Sequence, residues 1–184
     1  MNQTENFTLR PMKADEVNKL ALIDRSERVE THYLLQDGQL VTEDVDWKVP
    51  PFYMDGESDH SLSHQISFCQ SHLNAGGQML GMFDGDVLAG IAVWTPNVRP
   101  ALAQLAYLHV SRAYRRMGIA RRLLATVEQA ACDAGAQALY VSATPSGSAI
   151  GFYRSQGFAP AEPLPELFEM EPEDIHMVKP LQAV

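Results

Sequence analysis

The sequence predicts a single α+β domain with antiparallel pairing among its middle strands. Three features carry that expectation. Asp37-Gly38 and Asp84-Gly85 each lie between apolar runs, and such dipeptides accept the positive φ that tight hairpins need. Three strand candidates follow one another between residues 78 and 110 with no helix between them, and strands that meander in this way pair antiparallel. Segments with helical apolar stripes lie on either side of that meander.

In chain order, Phe7–Arg10 is a short strand. Met12 to Asp24 follows as a helix, with Val17, Leu20, Ala21 and Ile23 on its apolar side and Asp15 and Glu16 in its first turn. Tyr33–Gln36 and Gln39–Thr42 flank Asp37-Gly38 as a hairpin. Asp46–Glu57, with two prolines and no period, reads as a loop. Leu62, Ile66, Cys69 and Leu73 recur at steps of four, three and four, so His60–Gly76 reads as a helix ended by Gly76-Gly77. Strands at Gln78–Phe83, Val87–Trp94 and Ala101–Val110 come next, with a turn at Pro96–Pro100. Met117–Ala134 is the strongest helix, with Ile119, Leu123, Val127, Ala130 and Ala134 on one face and Gly135 as its stop. Ala138–Ser142 is a buried strand. Thr144-Pro145 then reads as an N-cap with proline at the first helical position, opening a helix to Gln156. A tail rich in proline and acids leads to a last strand, Ile175–Pro180. No internal repeat and no second core is visible, so residues 1–184 read as one domain.

Composition narrows the function. The 184 residues, 46% hydrophobic and 20% charged, suit a folded chain whose core needs no disulfide or metal support. A formal charge of −9 argues against general nucleic-acid binding, which needs a cationic face. No apolar run approaches the roughly 20 residues of a membrane span. The first ten residues lack the basic-then-apolar layout of a secretory signal. Two cysteines, Cys69 and Cys132, make no disulfide framework and fit a reducing, cytoplasmic setting. Cys69 lies in an apolar stripe, and Cys132 has no basic neighbour in sequence to lower its pKa. His60 and His64 have the spacing of a helical metal pair but point away from the core stripe and share that face with no acid or thiolate, so no metal is expected.

The chemistry concentrates where a strand turns into a helix: Leu105 to Val110, then Ser111 to Tyr114, then Arg115-Arg116-Met117-Gly118-Ile119-Ala120-Arg121. A helix starting near Gly118 presents unpaired backbone N–H groups and the positive end of its dipole. Gly118 and the small Ala120 let an anion approach the backbone closely. Five arginines between positions 112 and 122, in a chain of charge −9, point to a phosphate-bearing ligand. It is neither a nucleotide P-loop, since Gly-Lys-Ser/Thr is absent, nor a dinucleotide fingerprint, which needs a further glycine before Gly118.

This segment resembles the acyl-CoA-binding motif of the GNAT superfamily of N-acetyltransferases, Arg/Gln-x-x-Gly-x-Gly/Ala, read here as Arg115-Arg-Met-Gly118-Ile-Ala120. About thirty residues later that superfamily carries a tyrosine on a helix closed by Gly-Phe; here Tyr153 precedes Gly157-Phe158. Strand order agrees from Phe7 to Leu181. The resemblance implies a mixed, mostly antiparallel central sheet flanked by helices, with the hairpin near residues 33–42 as an insertion. It also implies acetyl-CoA as co-substrate, no metal, and direct transfer to a primary amine of a small molecule or peptide. Members often form homodimers, and no segment here marks an interface.

The resemblance further implies roles. The amides of Arg116, Met117, Gly118, Ile119, Ala120 and Arg121, with Arg115, would cradle the CoA diphosphate. Leu108, His109 and Val110 would pair with the pantetheine arm through their backbone, and Val110 N–H would steady the oxyanion. Tyr153 would protonate, or hydrogen-bond, the departing thiolate. Ser146, which stands where the superfamily often has Asn, is a further candidate cofactor contact. The glutamate that many members carry on the central strands is missing, since Gln104, Ala106 and Tyr107 occupy those places. The base therefore stays open among His109, Tyr107, Glu27 and a water chain.

Acids are unevenly spread. Residues 24–57 hold nine, and residues 161–174 hold six with no Lys or Arg. In the resembled fold both stretches border the acceptor groove, where they would attract a cationic amine. Glu27, Glu30, Tyr33 and Tyr107 are the candidate acceptor residues. Three functions remain open: a small-amine acetyltransferase, a protein N-terminal or lysine acetyltransferase, and a non-catalytic CoA-binding module.

Overall fold

The structure is a computed structural model that describes residues 7–182 apart from Asp55, Glu57 and Met170. Asp55 and Glu57, members of the acidic stretch above, therefore lie outside the described residues. Strands β1 (Phe7–Met12), β4 (Gln78–Asp84), β5 (Val87–Arg99), β6 (Leu102–Val110), β7 (Ala138–Ala143), β8 (Ala159–Pro160) and β9 (Ile175–Pro180) form one sheet in the order β1-β4-β5-β6-β7-β9-β8. Every neighbouring pair is antiparallel except β6 with β7. A separate hairpin joins β2 (Glu27–Gln36) to β3 (Gln39–Val49). This is the mixed, mostly antiparallel sheet flanked by helices that the sequence resemblance implies.

Helices cover both faces. Helix α2 (Ile119–Asp133) and α3 (Gly147–Ser155) bury Ile119, Leu123, Val127 and Ile150 against Met82, Trp94 and Leu105. On the other face, α1 (Leu62–Asn74) and a 3-10 helix (Ala14–Leu22) bury Leu62, Cys69, Val17 and Leu20 against Met79, Ile91 and Val93. A short α4 (Pro165–Phe168) caps Tyr140 with Leu164 and Leu167. No helix among the described residues is long and apolar enough to cross a membrane.

Several elements depart from the sequence reading for identifiable reasons. Ala14–Leu22 is a 3-10 rather than an α-helix, because Val17, Leu20 and Ile23 recur every three residues and all three are buried. The hairpin is longer than residues 33–42. It pairs Glu27 with Val49, and the expected loop starts only after Val45, Trp47 and Val49 have alternated along β3. β5 runs through Pro96 to Arg99, absorbing the proline in an irregular stretch between Thr95 and Arg99, and the turn falls at Ala101 (φ 60°). The cap of α3 is Ser146, not Thr144: its hydroxyl accepts from Ala149 N–H at 3.3 Å. On α2 the buried stripe passes through Leu124 and Ala131 in place of Ala130 and Ala134. His60 precedes α1, whose N-cap is Ser61, so His60 and His64 do not form a helical pair.

Two irregularities of β6 build the functional region. The register slips by one residue at Ala106: Val93 faces Tyr107 while Trp94 faces Leu105. This bulge turns Tyr107 toward the α1 face, whereas Leu105 keeps to the α2 face. Pairing of β6 with β7 covers only Leu102–Gln104 against Ala138–Tyr140, after which the two strands part.

Candidate active site

From Val110 the chain passes a 3-10 turn (Arg112–Tyr114) and enters α2 through two left-handed residues, Arg116 (φ 65°) and Gly118 (φ 78°). Left-handed residues on both sides of Met117 turn successive amides inward, the backbone concavity that suits an anion. Among the described residues the amides of Arg116 to Arg121 have no acceptor, and the first amide with one is that of Arg122, which donates to Gly118 O at 3.1 Å. A Cβ at Gly118 would meet nothing within 4 Å, and Gly118 to Arg121 border an open groove.

The arginines divide in two. Arg112 and Arg115 tie the loop to the chain leading into β2. Arg112 reaches Ser26 Oγ at 3.4 Å. Arg115 donates to Glu27 (2.8 Å), Arg25 O (2.9 Å) and Val110 O (3.3 Å). Arg122 lies on the outer side, 3.4 Å from Phe7 O. Arg116 and Arg121 line the groove with no side-chain partner among the described residues. They are the cations left for a diphosphate.

A groove of about 2620 Å³ runs from this helix front along the gap between β6 and β7. Ser111 N–H donates to Ala89 O at 2.9 Å, across the ladder with β5. Successive residues of a strand present their backbone groups to opposite sides, so the amides of Val110 and Leu108 point into the gap. The backbone there is available to an extended ligand. The residues fit acetyl-CoA: open amides and two arginines at one end, a free strand edge beyond.

Tyr153, on α3, is 8% exposed and lines the groove, packed against Phe152 and Phe158. No described residue hydrogen-bonds its hydroxyl. Burial, with Asp174 and Glu171 nearby, raises its pKa well above the usual phenol value, so it stays protonated and can donate. Ser146 is occupied as the cap of α3 and lies 3.1 Å from Ser148 Oγ.

The residues nominated for the acceptor and the base fare differently. Glu27 accepts from Arg115 and from Ser148 Oγ (3.0 Å), bracing β2 against the α2 loop and α3. Glu30 is exposed on the groove rim, 3.8 Å from Arg28. Tyr33 lines the groove and donates its amide to Pro145 O at 2.8 Å. Tyr107 is buried, its hydroxyl has no partner among the described residues, and burial raises its pKa strongly. His109 stacks on Tyr107 with centroids 4.6 Å apart; burial, then Arg25 and Arg115, pushes its pKa down to about 4.

Two carboxylates escaped the sequence reading. Glu171 and Asp174, in the segment entering β9, line the groove beside Tyr153. Burial, reinforced by Asp174, pushes Glu171 up to about 7 although Ser142 donates a hydrogen bond to it. Burial, then Glu173, pushes Asp174 up to about 6. Behind them, His176 Nδ1 lies 2.5 Å from Tyr140 Oη and 3.2 Å from Ser142 Oγ, and Leu164 N–H donates to Tyr140 Oη at 3.1 Å. Only the concentration of acids in residues 161–174 hinted at this cluster, because a tail without period does not reveal which acids turn inward.

Residues 42–158 match the profile of the Acetyltransferase (GNAT) family. In structure the chain is similar to nourseothricin acetyltransferase, with a TM-score of 0.73 and 16% identity over 96% of this chain and 99% of the other. It is also similar to a protein of Bacillus anthracis assigned as a streptothricin acetyltransferase, solved with acetyl coenzyme A (TM-score 0.71, 17% identity, 96% and 99% coverage). The ribosomal-protein-S18-alanine N-acetyltransferase of Escherichia coli follows the same fold (TM-score 0.62, 18% identity, 97% and 96% coverage). A comparison of the sequence with curated proteins gives no significant match.

Proposed function

The chain belongs to the GNAT acetyltransferase family, and from that premise we propose that it moves the acetyl group of acetyl-CoA directly onto a cationic primary amine of a small molecule. The observation that carries this reading is the front of α2, where six successive amides, from Arg116 to Arg121, have no partner among the described residues and border the groove beside an open position at Gly118. Those amides, with the side chains of Arg116 and Arg121, hold the diphosphate. The backbone of Leu108 to Val110 pairs with the pantetheine arm, and Val110 N–H steadies the oxyanion. Tyr153 donates to the departing sulfur. The protein needs no nucleophile of its own, since orientation of amine and thioester supplies much of the rate.

The acidic wall of Glu171 and Asp174 favours a cationic acceptor. The two neighbours of highest TM-score among those described, named for nourseothricin and streptothricin, favour a small molecule over a protein. The test is thiol release from acetyl-CoA with spermidine, a lysine ester and an alanine-initiated peptide, each against an amine-free blank. Release with the small amines ahead of the peptide is expected. Preference for the peptide would transfer the assignment to protein N-termini, the acceptor class named for the Escherichia coli neighbour. Coenzyme A binding with no release from any acceptor would leave a binding module.

A further inference from the structure

We propose that the carboxylate of Glu171 is the general base, taking the proton from the incoming ammonium, with Asp174 as its positioning residue. This rests on the acyl-transfer reading above and supplies the one group that reading lacks. The residues that the sequence nominated are unsuited. Both oxygens of Glu27 are engaged, by Arg115 and Ser148. The phenol of Tyr107 is buried and stays protonated. An imidazole with its pKa near 4, as at His109, holds an amine's proton too weakly.

Glu171 has the required placement. Its segment lines the same groove as Tyr153, and its carboxylate interacts with that phenol and accepts from Ser142 of β7. Acid and base thus line one groove, beside the part of β7 that follows Tyr140, its last residue paired with β6. Tyr153 is itself more than nine-tenths buried, lines the groove, and has no hydrogen-bond partner for its hydroxyl among the described residues. The groups facing Glu171 are few. Asp174 belongs to its own segment and is in turn acted on by Glu173; Ser142 and Tyr140 come from β7, Tyr153 from α3 and His176 from β9. The Arg99–Glu166 ion pair lies farther out and acts on Tyr140. Burial lowers the pKa of His176, against the opposing hydrogen bond to Glu171 O, so it adds little positive charge near neutrality. No lysine or arginine among the described residues holds Glu171 ionised. The ammonium of the acceptor is the cation that fits there.

The step balances. R–NH3+ gives one proton to the Glu171 carboxylate and becomes a neutral amine. Its lone pair forms the N–C bond at the thioester carbonyl, and the C–S bond breaks. Tyr153 gives its proton to sulfur and regains one from nitrogen, while the proton on Glu171 leaves through the open groove. Ammonium plus acetyl thioester becomes acetamide, thiol and one proton.

The test joins kinetics with titration of the carboxyl itself, both on the full chain. With spermidine as acceptor, Glu171→Gln is expected to lower kcat/KM at pH 7 by about 100-fold and abolish the acid limb, with acetyl-CoA Kd changed less than about 2-fold. Asp174→Asn should move that limb down by about one pH unit while keeping its shape, a change that a purely structural role would not produce. In 13C NMR with labelled glutamate, the carboxyl signal missing from Glu171→Gln should titrate with a midpoint near 7. A Glu171→Gln enzyme with the wild-type profile, or a signal titrating like a surface carboxylate, overturns the assignment. If the wild type acetylates no amine, the acyl-transfer reading falls. The base role falls with it, whereas acetylation by the wild type that Glu171→Gln leaves intact overturns the base assignment alone.

Discussion

At Gly118 two conditions coincide: the backbone is left-handed, and the space where a side chain would project is empty. Alanine there fits sterically but bears a conformational cost of about 1 kcal/mol. Glutamate adds a carboxylate in front of the amides. Calorimetry should therefore find weakened coenzyme A binding in Gly118→Ala and none in Gly118→Glu. Tyr153→Phe removes a proton donor without emptying its packing against Phe152 and Phe158. A fall in kcat of about 100-fold with acetyl-CoA affinity preserved is expected in steady-state assays and titration; undiminished kcat would remove the role. Both residues stand out as candidates in the sequence because their neighbours mark them, one by Arg115 to Ala120 and the other by Gly157-Phe158. Glu171 does not, since its acidity is set by burial that only the folded chain creates. The partition of the arginines was equally hidden: the cluster was visible, but which members would be taken up by Glu27, Ser26 and Phe7 depended on contacts far apart in sequence.

Among the elements, the β2–β3 hairpin is fastened to α3 and the α2 loop through β2, whose His32 also bridges Ser146. Glu27 bridges Arg115 and Ser148, and Tyr33 N–H reaches Pro145 O. The carboxylate and guanidinium of the Glu27–Arg115 pair are 20% and 29% exposed, sheltered enough for the pair to matter. Glu27→Gln and Arg115→Ala should each destabilise by about 1–3 kcal/mol. In urea unfolding the double variant should cost less than their sum, with a coupling of at least about 0.5 kcal/mol. Strict additivity would mean that the brace contributes nothing. Element identity was largely legible, since periodicity reports burial on one face. The exceptions have local causes: a three-residue repeat that fits a 3-10 turn at Val17, Leu20 and Ile23, and prolines after Val49 that masked the alternation before them. The bulge at Ala106 left no signature in the sequence, yet it sets which face Tyr107 and His109 occupy.

For the whole molecule, the buried acids set how stability responds to pH. Glu171 and Asp174 bind protons more tightly folded than unfolded, with their pKa values raised from 4.5 to about 7 and from 3.8 to about 6. Their contribution is complete below the unfolded values and is lost as pH rises through 6 and 7. Glu16 runs the other way, because Arg10 holds its carboxyl far below the usual range; its contribution is present above about pH 5 and lost in acid. Stability should therefore peak in mildly acidic solution. In urea titrations, Glu171→Gln should match wild type near pH 4 and exceed it at pH 8 by an amount of the order of 2 kcal/mol. Equal stability of the two at pH 8 would mean that Glu171 is solvated like any surface acid.

The helix front remains the foundation of these roles, and amide hydrogen exchange resolved by NMR addresses it most directly. Coenzyme A should slow exchange at Arg116 to Arg121, while pantetheine, which lacks the diphosphate, should leave those six amides unchanged. Saturation with coenzyme A and unaltered exchange along that stretch would contradict the cradle.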